Sequence, residues 1–410
     1  MLNPEVTIIG GGLSGLCCAR RLHESGVSFQ VLEASEEVGG RVRTDDVDGF
    51  LLDRGFQVLL TAYPEAQDVL DYDALNLARF APGALVRYRD RFHRFTDPWR
   101  SPRHLFATAS SPIGSLADKL RVARLRSRVC RSSLDKLFER AETTTINALR
   151  QEGFSQRFIE SFFRPFLGGV FLERDLDTSS RMFDFVFRMF ATGNVVLPAG
   201  GIGEISRQIA KKLPGEALRT GASVETLEGT TVRLTSGETL QAGAVVIACE
   251  APVAAKLLVD PAPPSGRGVT CVYFAADRPP IEEPILVLNG DGVGPINNLC
   301  VPSQVTPTYA PAGQALVSVT VLGLADGDVE ASIRKQLLDW FGPDVNAWRH
   351  LRTYRIPYAL PSQAPPALSP VEKSAIRGDH LFVCGDYLDT ASIQGAMVSG
   401  RRAAECVMQG

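Results

Sequence analysis

Gly10-Gly11-Gly12-Leu13-Ser14-Gly15 has the spacing that lets a main chain turn closely around a phosphate. Gly10 permits the tight turn, Gly12 lets the backbone approach a pyrophosphate, and Gly15 lets the following helix pack on the preceding strand. That chemistry needs a strand before the turn and a helix after it. Val6-Thr7-Ile8-Ile9 is a β-branched apolar run of the kind that forms a buried parallel strand, and Leu16 to Ser25 has helix-forming character and stops at Gly26. Ser28 to Leu32 reads as a second strand with Glu33 at its end, placed to accept hydrogen bonds from the ribose hydroxyls of an adenosine. The helix start would add free N–H groups and a partial positive charge for the pyrophosphate. Strand, turn, helix, strand and acid together predict a dinucleotide site. They do not separate NAD from FAD.

Other chemistries find little support. The histidines, at 23, 93, 104, 350 and 380, have no metal-ligand spacing, so no metal site is expected. No Gly-x-Ser-x-Gly elbow supports a serine hydrolase. The eight cysteines form no C-x-x-C pair, as expected of reduced thiols, and Cys384 reads as a small core residue. With 43 basic and 46 acidic residues, a net charge of −3 argues against nucleic acid as a partner. The 45% hydrophobic content of the 410 residues is that of a globular chain, and no apolar run is long enough to span a bilayer. The first residues enter a strand at once and read as having no signal peptide, which predicts a cytoplasmic location.

Beyond Glu33-Ala34 the chain runs to Gly39-Gly40-Arg41 and then to Gly55-Phe56-Gln57; near its other end stand Leu381-Phe382-Val383-Cys384-Gly385-Asp386 and Ser392-Ile393-Gln394-Gly395-Ala396. With the N-terminal fingerprint, these runs resemble the flavoprotein superfamily of amine oxidases, phytoene desaturases and protoporphyrinogen oxidases. The resemblance implies non-covalent FAD. It implies that Asp386, after Gly385, contacts the ribityl and phosphate region, that Ile393 to Ala396, with Gly395, point a helix N-terminus at the flavin, and that the main chain of Val224 lies against the adenine. A small-residue helix start can also stabilise negative charge on a reduced flavin.

The expected fold is α/β: a Rossmann-type FAD-binding domain assembled from three segments, 1–62, 192–260 and 372–410, with an α+β substrate domain formed by 63–191 and 261–371. The first insert reads as mainly helical. The second alternates β-rich runs with one helix near Val329 to Phe341. Gly290 to Gly294 runs into Pro295 and reads as a turn rather than a second fingerprint. Ten of the 21 phenylalanines fall between 154 and 190. The i, i+4 pairs Phe154/Phe158 and Phe158/Phe162 read as helix core, yet the cluster exceeds what two helices need. Phe162, Phe163 and Phe166, with Tyr358, are therefore candidates for an apolar substrate cavity; Arg164 and Glu173 are weak polar anchors.

Together with the candidate apolar cavity, the resemblance implies first a desaturase-like or dehydrogenase-like removal of hydride from a largely apolar substrate of isoprenoid or tetrapyrrole type. The electron acceptor would be oxygen or a quinone, because no second fingerprint offers an NADPH site. Amine oxidation is the alternative, although Ser392 occupies the place of the cage tyrosine of monoamine oxidases and 268–280 offers no counterpart of their flavin-facing lysine. Redox-neutral isomerisation or cofactor binding without catalysis is a third. Residues 79–140 hold fifteen basic and five acidic residues, and Lys119 to Arg140 interleaves its charges with apolar residues like an interfacial helix. Peripheral contact with an anionic membrane is the corresponding expectation.

Overall fold

Val6–Ile9 is buried at every position and pairs in parallel with Phe29–Leu32 on one side and Ala244–Ile247 on the other. β-branched residues on both faces suit a strand covered by helices above and below. The sheet continues to Leu218–Arg219 at one edge; at the other Leu381–Val383 adds a parallel strand and Ile376–Gly378 an antiparallel one. Helices Leu13–Glu24 and Ile393–Val407 pack against one another beside this sheet. The computed structural model describes residues 4–97, 100, 111–260 and 264–409. Met1 to Asn3, His104 and the parts of the basic stretch at 98–99 and 101–110 lie outside the described residues.

A second sheet has seven strands in the order Arg349–Pro361, Gly266–Ala276, Ala315–Leu322, Asn298–Cys300, Leu286–Asn289, Ala84–Tyr88 and Arg91–Phe95. All pairings are antiparallel except that of Leu286–Asn289 with Ala84–Tyr88. Its alternating residues divide cleanly. Val272, Phe274, Val287, Leu299, Val317 and Val319 face the helix Val329–Phe341 through Val329, Ile333 and Leu337. Cys271, Tyr273, Cys300 and Leu316 face the hairpin Thr44–Val47/Phe50–Asp53. The first insert is helical over Leu116–Arg131 and Ser180–Thr192, but it also supplies Ala84–Tyr88 and Arg91–Phe95 to this sheet. Their turn, Arg89-Asp90, has both residues at positive φ, which suits a tight hairpin. Four arginines in that stretch, Arg87, Arg89, Arg91 and Arg94, mask an alternation that would otherwise read as strand.

Asp53 joins the hairpin to distant parts of the chain. Its buried carboxylate accepts from Thr44 Oγ1 (2.6 Å), the Ile202 amide (2.9 Å) and the Tyr309 hydroxyl (2.9 Å), while Tyr273 donates to its carbonyl (2.8 Å). Burial raises its pKa to about 6, against the pull of these donors.

Candidate functional site

One cavity of about 1440 Å³ runs between the two sheets. That is more than the roughly 300–1,000 Å³ of an ordinary small-molecule cleft and leaves room for a large cofactor and a second molecule. Gly10, Gly12, Leu13, Ser14, Glu33, Ala34, Gly39, Gly40, Arg41, Gly55, Phe56, Val224, Gly385, Asp386, Ile393 and Ala396 all line it. Motifs separated by up to 386 positions in the sequence numbering thus share one wall.

At the glycine turn, Gly10 has φ +112°, and a Cβ on Gly15 would fall 2.0 Å from the Gly10 carbonyl oxygen. Gly15 therefore lies behind the wall and holds helix to strand. Gly395 is also a packing residue, since its Cβ would fall 1.9 Å from the Thr390 oxygen. A Cβ on Gly12 would meet nothing nearer than Gly40 Cα at 4.0 Å, so protein does not fill the space above it. Gly12 caps the helix Leu13–Glu24 without a side-chain hydrogen bond, and the first-turn N–H groups face the cavity with no capping side chain. An uncapped helix start beside open space has the geometry that can hold an anion.

Glu33 is already engaged: Oε2 accepts from the Gly11 amide (2.7 Å), and Oε1 accepts from the Ser35 amide (2.9 Å) and hydroxyl (2.6 Å). A carboxylate has about four lone-pair sites, so one is left for a sugar hydroxyl. Arg41 donates to Asp386 Oδ1 (2.7 Å) and to the Ala359 carbonyl (2.9 Å), tying the N-terminal and C-terminal motifs of the wall together. Burial disfavours its charge, but Asp386 and Glu250 more than offset this and its pKa rises. Burial also raises the pKa of Glu250, which lines the cavity beside Cys249; Arg41 opposes the rise and Asp386 adds to it. Ser392 caps the helix Ile393–Val407 by accepting from the Gly395 amide (3.1 Å). The capped helix turns its start towards the cavity through Ile393 and Ala396.

The far end is aromatic. Phe162, Phe166, Phe187 and Phe190 line it, with ring centroids 5.6 Å apart for Phe162/Phe166 and 5.2 Å for Phe166/Phe190. Phe163 is instead fully buried behind the wall against Phe154, Phe158 and Phe183. The reason is a π-helical turn over Ile159–Phe163, which advances the buried face by one residue. Phe162 consequently leaves the core position that the 154/158/162 spacing gives it. Tyr358 is not among the lining residues; its ring packs on the Gly266 backbone and its hydroxyl is buried with no hydrogen-bond partner among the described residues. Arg164 pairs with Glu160 and Glu173 with Arg267 (2.9 Å), both away from the wall.

Sequence reasoning missed several wall residues: Gln57, Tyr63, Cys249, Glu250, Asn298 and Thr320, and an Asp45–Arg54–Arg352–Tyr354 cluster at the rim. Gln57 stands in the Gly55-Phe56-Gln57 run beside two of the expected contacts. The others carry no spacing signal: Asn298 and Thr320 meet through strand pairing, while Tyr63 and Glu250 stand at helix starts that no motif marks. Lys119, Arg100, Arg126 and Asp97 stand near the aromatic end, and Lys119 is the one lysine among the described lining residues. The helix bearing it does not present all its charge outward. Arg128 is held by Asp184 (2.7 Å) and Glu152 (3.2 Å), and Arg126 donates to the Ala191 carbonyl (3.0 Å).

Residues 13–408 match the family of flavin containing amine oxidoreductases. The chain belongs to that family. It is a flavin-containing oxidoreductase, and the cradle at Gly12 and the size of the cavity fit the group the family implies. Protoporphyrinogen oxidase 2, chloroplastic/mitochondrial, of Arabidopsis thaliana is 26% identical over 167 residues, 40% of this chain and 32% of that protein. Carotenoid 3,4-desaturase of Haloarcula japonica is 43% identical over 51 residues, 12% of this chain and 10% of that protein. These matches span a third or less of the relatives' own lengths. A putrescine oxidase solved with bound putrescine has a TM-score of 0.73 at 18% identity, covering 100% of both chains. That likeness is one of fold. No helix among the described residues is long and apolar enough to cross a membrane.

Proposed function

We propose that this oxidoreductase binds FAD non-covalently and removes hydride from a largely apolar substrate. The observation that carries the reading is the single cavity, with an uncapped helix start and glycine turn at one end and four phenylalanines at the other. The first-turn N–H groups of Leu13 and Ser14 would hold the pyrophosphate, Glu33 the ribose, Val224 the adenine, and Gly39 to Arg41 with Asp386 the ribityl end. The flavin, when bound, supplies two-electron acceptance. The protein supplies orientation, a dry wall and, through the Ser392-capped helix, a partial positive charge. Cys249 lines the cavity at the Ile9 end, donating to the Ile9 carbonyl (3.1 Å), and no histidine lines it among the described residues, which supports a cofactor held without a covalent link. In this reading the FAD-binding domain comprises 1–62, 192–260 and 372–410, and the inserts 63–191 and 261–371 build the substrate side. Oxygen or a quinone would take the electrons.

Amine oxidation is the second reading, favoured by the family to which the chain belongs. Against it stand Ser392 at the flavin-facing helix start and the lack, among the described lining residues, of any lysine other than Lys119, which stands at the aromatic end. Anaerobic reduction of the bound flavin by panels of polyenes, tetrapyrroles and amines separates the two. Bleaching by apolar substrates alone supports the first; bleaching by amines alone overturns it. Peripheral contact with an anionic membrane through 79–140 belongs to the same proposal. Leu116 and Leu120, 68% and 65% exposed beside the cavity wall, support it, whereas Arg126 and Arg128 are turned inward.

A further inference from the structure

The seven-stranded sheet lends the cavity a row of side chains, one strand after another. Ile356 and Val269 are register partners, as are Thr320 and Asn298; Leu286 pairs with Ala84, and Ala84 with Phe95. The row begins beside Gly55, whose Cβ would lie 3.1 Å from Ile356 and 3.9 Å from Val269. It ends at Phe95, whose ring centroid is 4.6 Å from that of Phe162. It thus spans the distance from the proposed flavin contacts to the aromatic end. All of its members are apolar except the two in the middle.

Asn298 and Thr320 are 3% and 4% exposed. Asn297 Nδ2 donates to Asn298 Oδ1 (2.8 Å), which orients the carboxamide, and Asn298 Nδ2 donates to Thr320 Oγ1 (3.3 Å). The bond count leaves two donors over. A carboxamide has two N–H groups and a hydroxyl one O–H, so one Asn298 N–H and the Thr320 O–H have no acceptor among the described residues. Buried donors in an apolar wall are costly unless something in the cavity accepts from them. Gly169 makes room for the arrangement: a Cβ there would stand 2.9 Å from Asn298 Oδ1.

We infer that Asn298 and Thr320 form a donor pair that grips an oxygen acceptor, a carbonyl or carboxylate oxygen, on the otherwise apolar substrate. The inference rests on the apolar-substrate reading above and adds to it a polar handle at a fixed place. Between the flavin contacts and the phenylalanines, such a grip fixes how far the skeleton slides along the cavity, and hence which carbon meets the flavin. Asn298 and Thr320 are positioning residues.

The test uses the oxidised holoenzyme and three unreactive probes with one carbon skeleton: tridecane, 2-tridecanone and tridecanoate. Binding is followed by the perturbation of the flavin absorbance. In the wild type, 2-tridecanone should bind about tenfold tighter than tridecane, because one or two neutral hydrogen bonds are at stake. Thr320→Val, which keeps shape and removes the hydroxyl, should lower that ratio about threefold or more, while Thr320→Ser should preserve it. Asn298→Leu should lower it independently. Tridecanoate, compared with the ketone, reports whether charge adds to the grip. FAD content and circular dichroism confirm that each variant is folded. A wild-type ratio near one, or a ratio unchanged in Thr320→Val, overturns the inference. Probe binding requires no hydride removal, so failure of apolar substrates to bleach the flavin would overturn the proposed function and leave this result standing.

Discussion

Replacing Glu33 by alanine tests the cofactor end of the cavity in a way that separates binding from folding. The carboxylate accepts three hydrogen bonds from Gly11 and Ser35, which leaves one lone-pair site for a ribose hydroxyl. Loss of one hydrogen bond to a charged group costs about 1.5–3 kcal/mol, so the Kd for FAD should rise roughly ten- to a hundredfold. Loss of the Gly11 tether also loosens the turn, an effect felt by any ligand that uses its N–H groups. FMN supplies the control, since it has a flavin and one phosphate but no adenosine ribose. Apoprotein would be titrated with each cofactor and followed by quenching of flavin fluorescence. FAD affinity should fall in the stated range, with FMN affinity shifted far less. Unchanged FAD affinity, or equal losses for both cofactors, would refute the assignment of Glu33 to the ribose.

Asp386→Ala strips Arg41 of its partner and should weaken FAD retention; flavin reduction in the molecules that stay loaded should show an unchanged order of substrates. Asp389 is buried, and burial raises its pKa to about 6, although the Thr390 amide and hydroxyl favour its charged form. A folded-state pKa above the unfolded value gives stability that is present at low pH and lost as pH rises through about 4 to 6. Asp389→Asn should therefore gain about 2–3 kcal/mol relative to wild type between pH ~4 and ~7, measured by denaturant titration; a constant difference would show that Asp389 does not titrate there. Leu116→Ser combined with Leu120→Ser should reduce sedimentation with anionic liposomes at low salt, with Arg124→Gln adding to the loss; wild-type protein that ignores such liposomes would end the membrane proposal.

The wall of glycine and acid motifs could be read from the sequence because each of its parts is local. A turn such as Gly10 to Gly15 carries its strand and helix within a few residues, and Gly385-Asp386 follows its own strand at once. The aromatic end was legible only in composition. The crowding of phenylalanines pointed to an apolar cavity, but the π-turn at Ile159–Phe163 changed which of them reach it. Asp53, with partners at 44, 202 and 309, reads in isolation as an ordinary strand-end acid. Asn298 and Thr320 stand in runs that look like any other strands, and only the register between them makes a pair. Strands 84–88 and 91–95 were hidden by their arginines: Arg91 is exposed, whereas Arg87 is buried and paired with Asp90 and Asp339.

The parallel sheet also sets an order of events during synthesis. Val6–Ile9 can pair with Phe29–Leu32 almost immediately, but its other edge waits for Ala244–Ile247, and Arg41 waits for Asp386. At about 5–20 residues per second those delays are roughly 10–50 s and 20–70 s. Throughout the first interval a β-branched strand stands with one edge open, the condition under which chains pair wrongly with their neighbours. Expression yield should therefore depend on what shields that edge in the meantime, and pulse-labelled nascent chains should become protease-resistant in the helices of the first insert, 63–191, before they do so around the glycine turn.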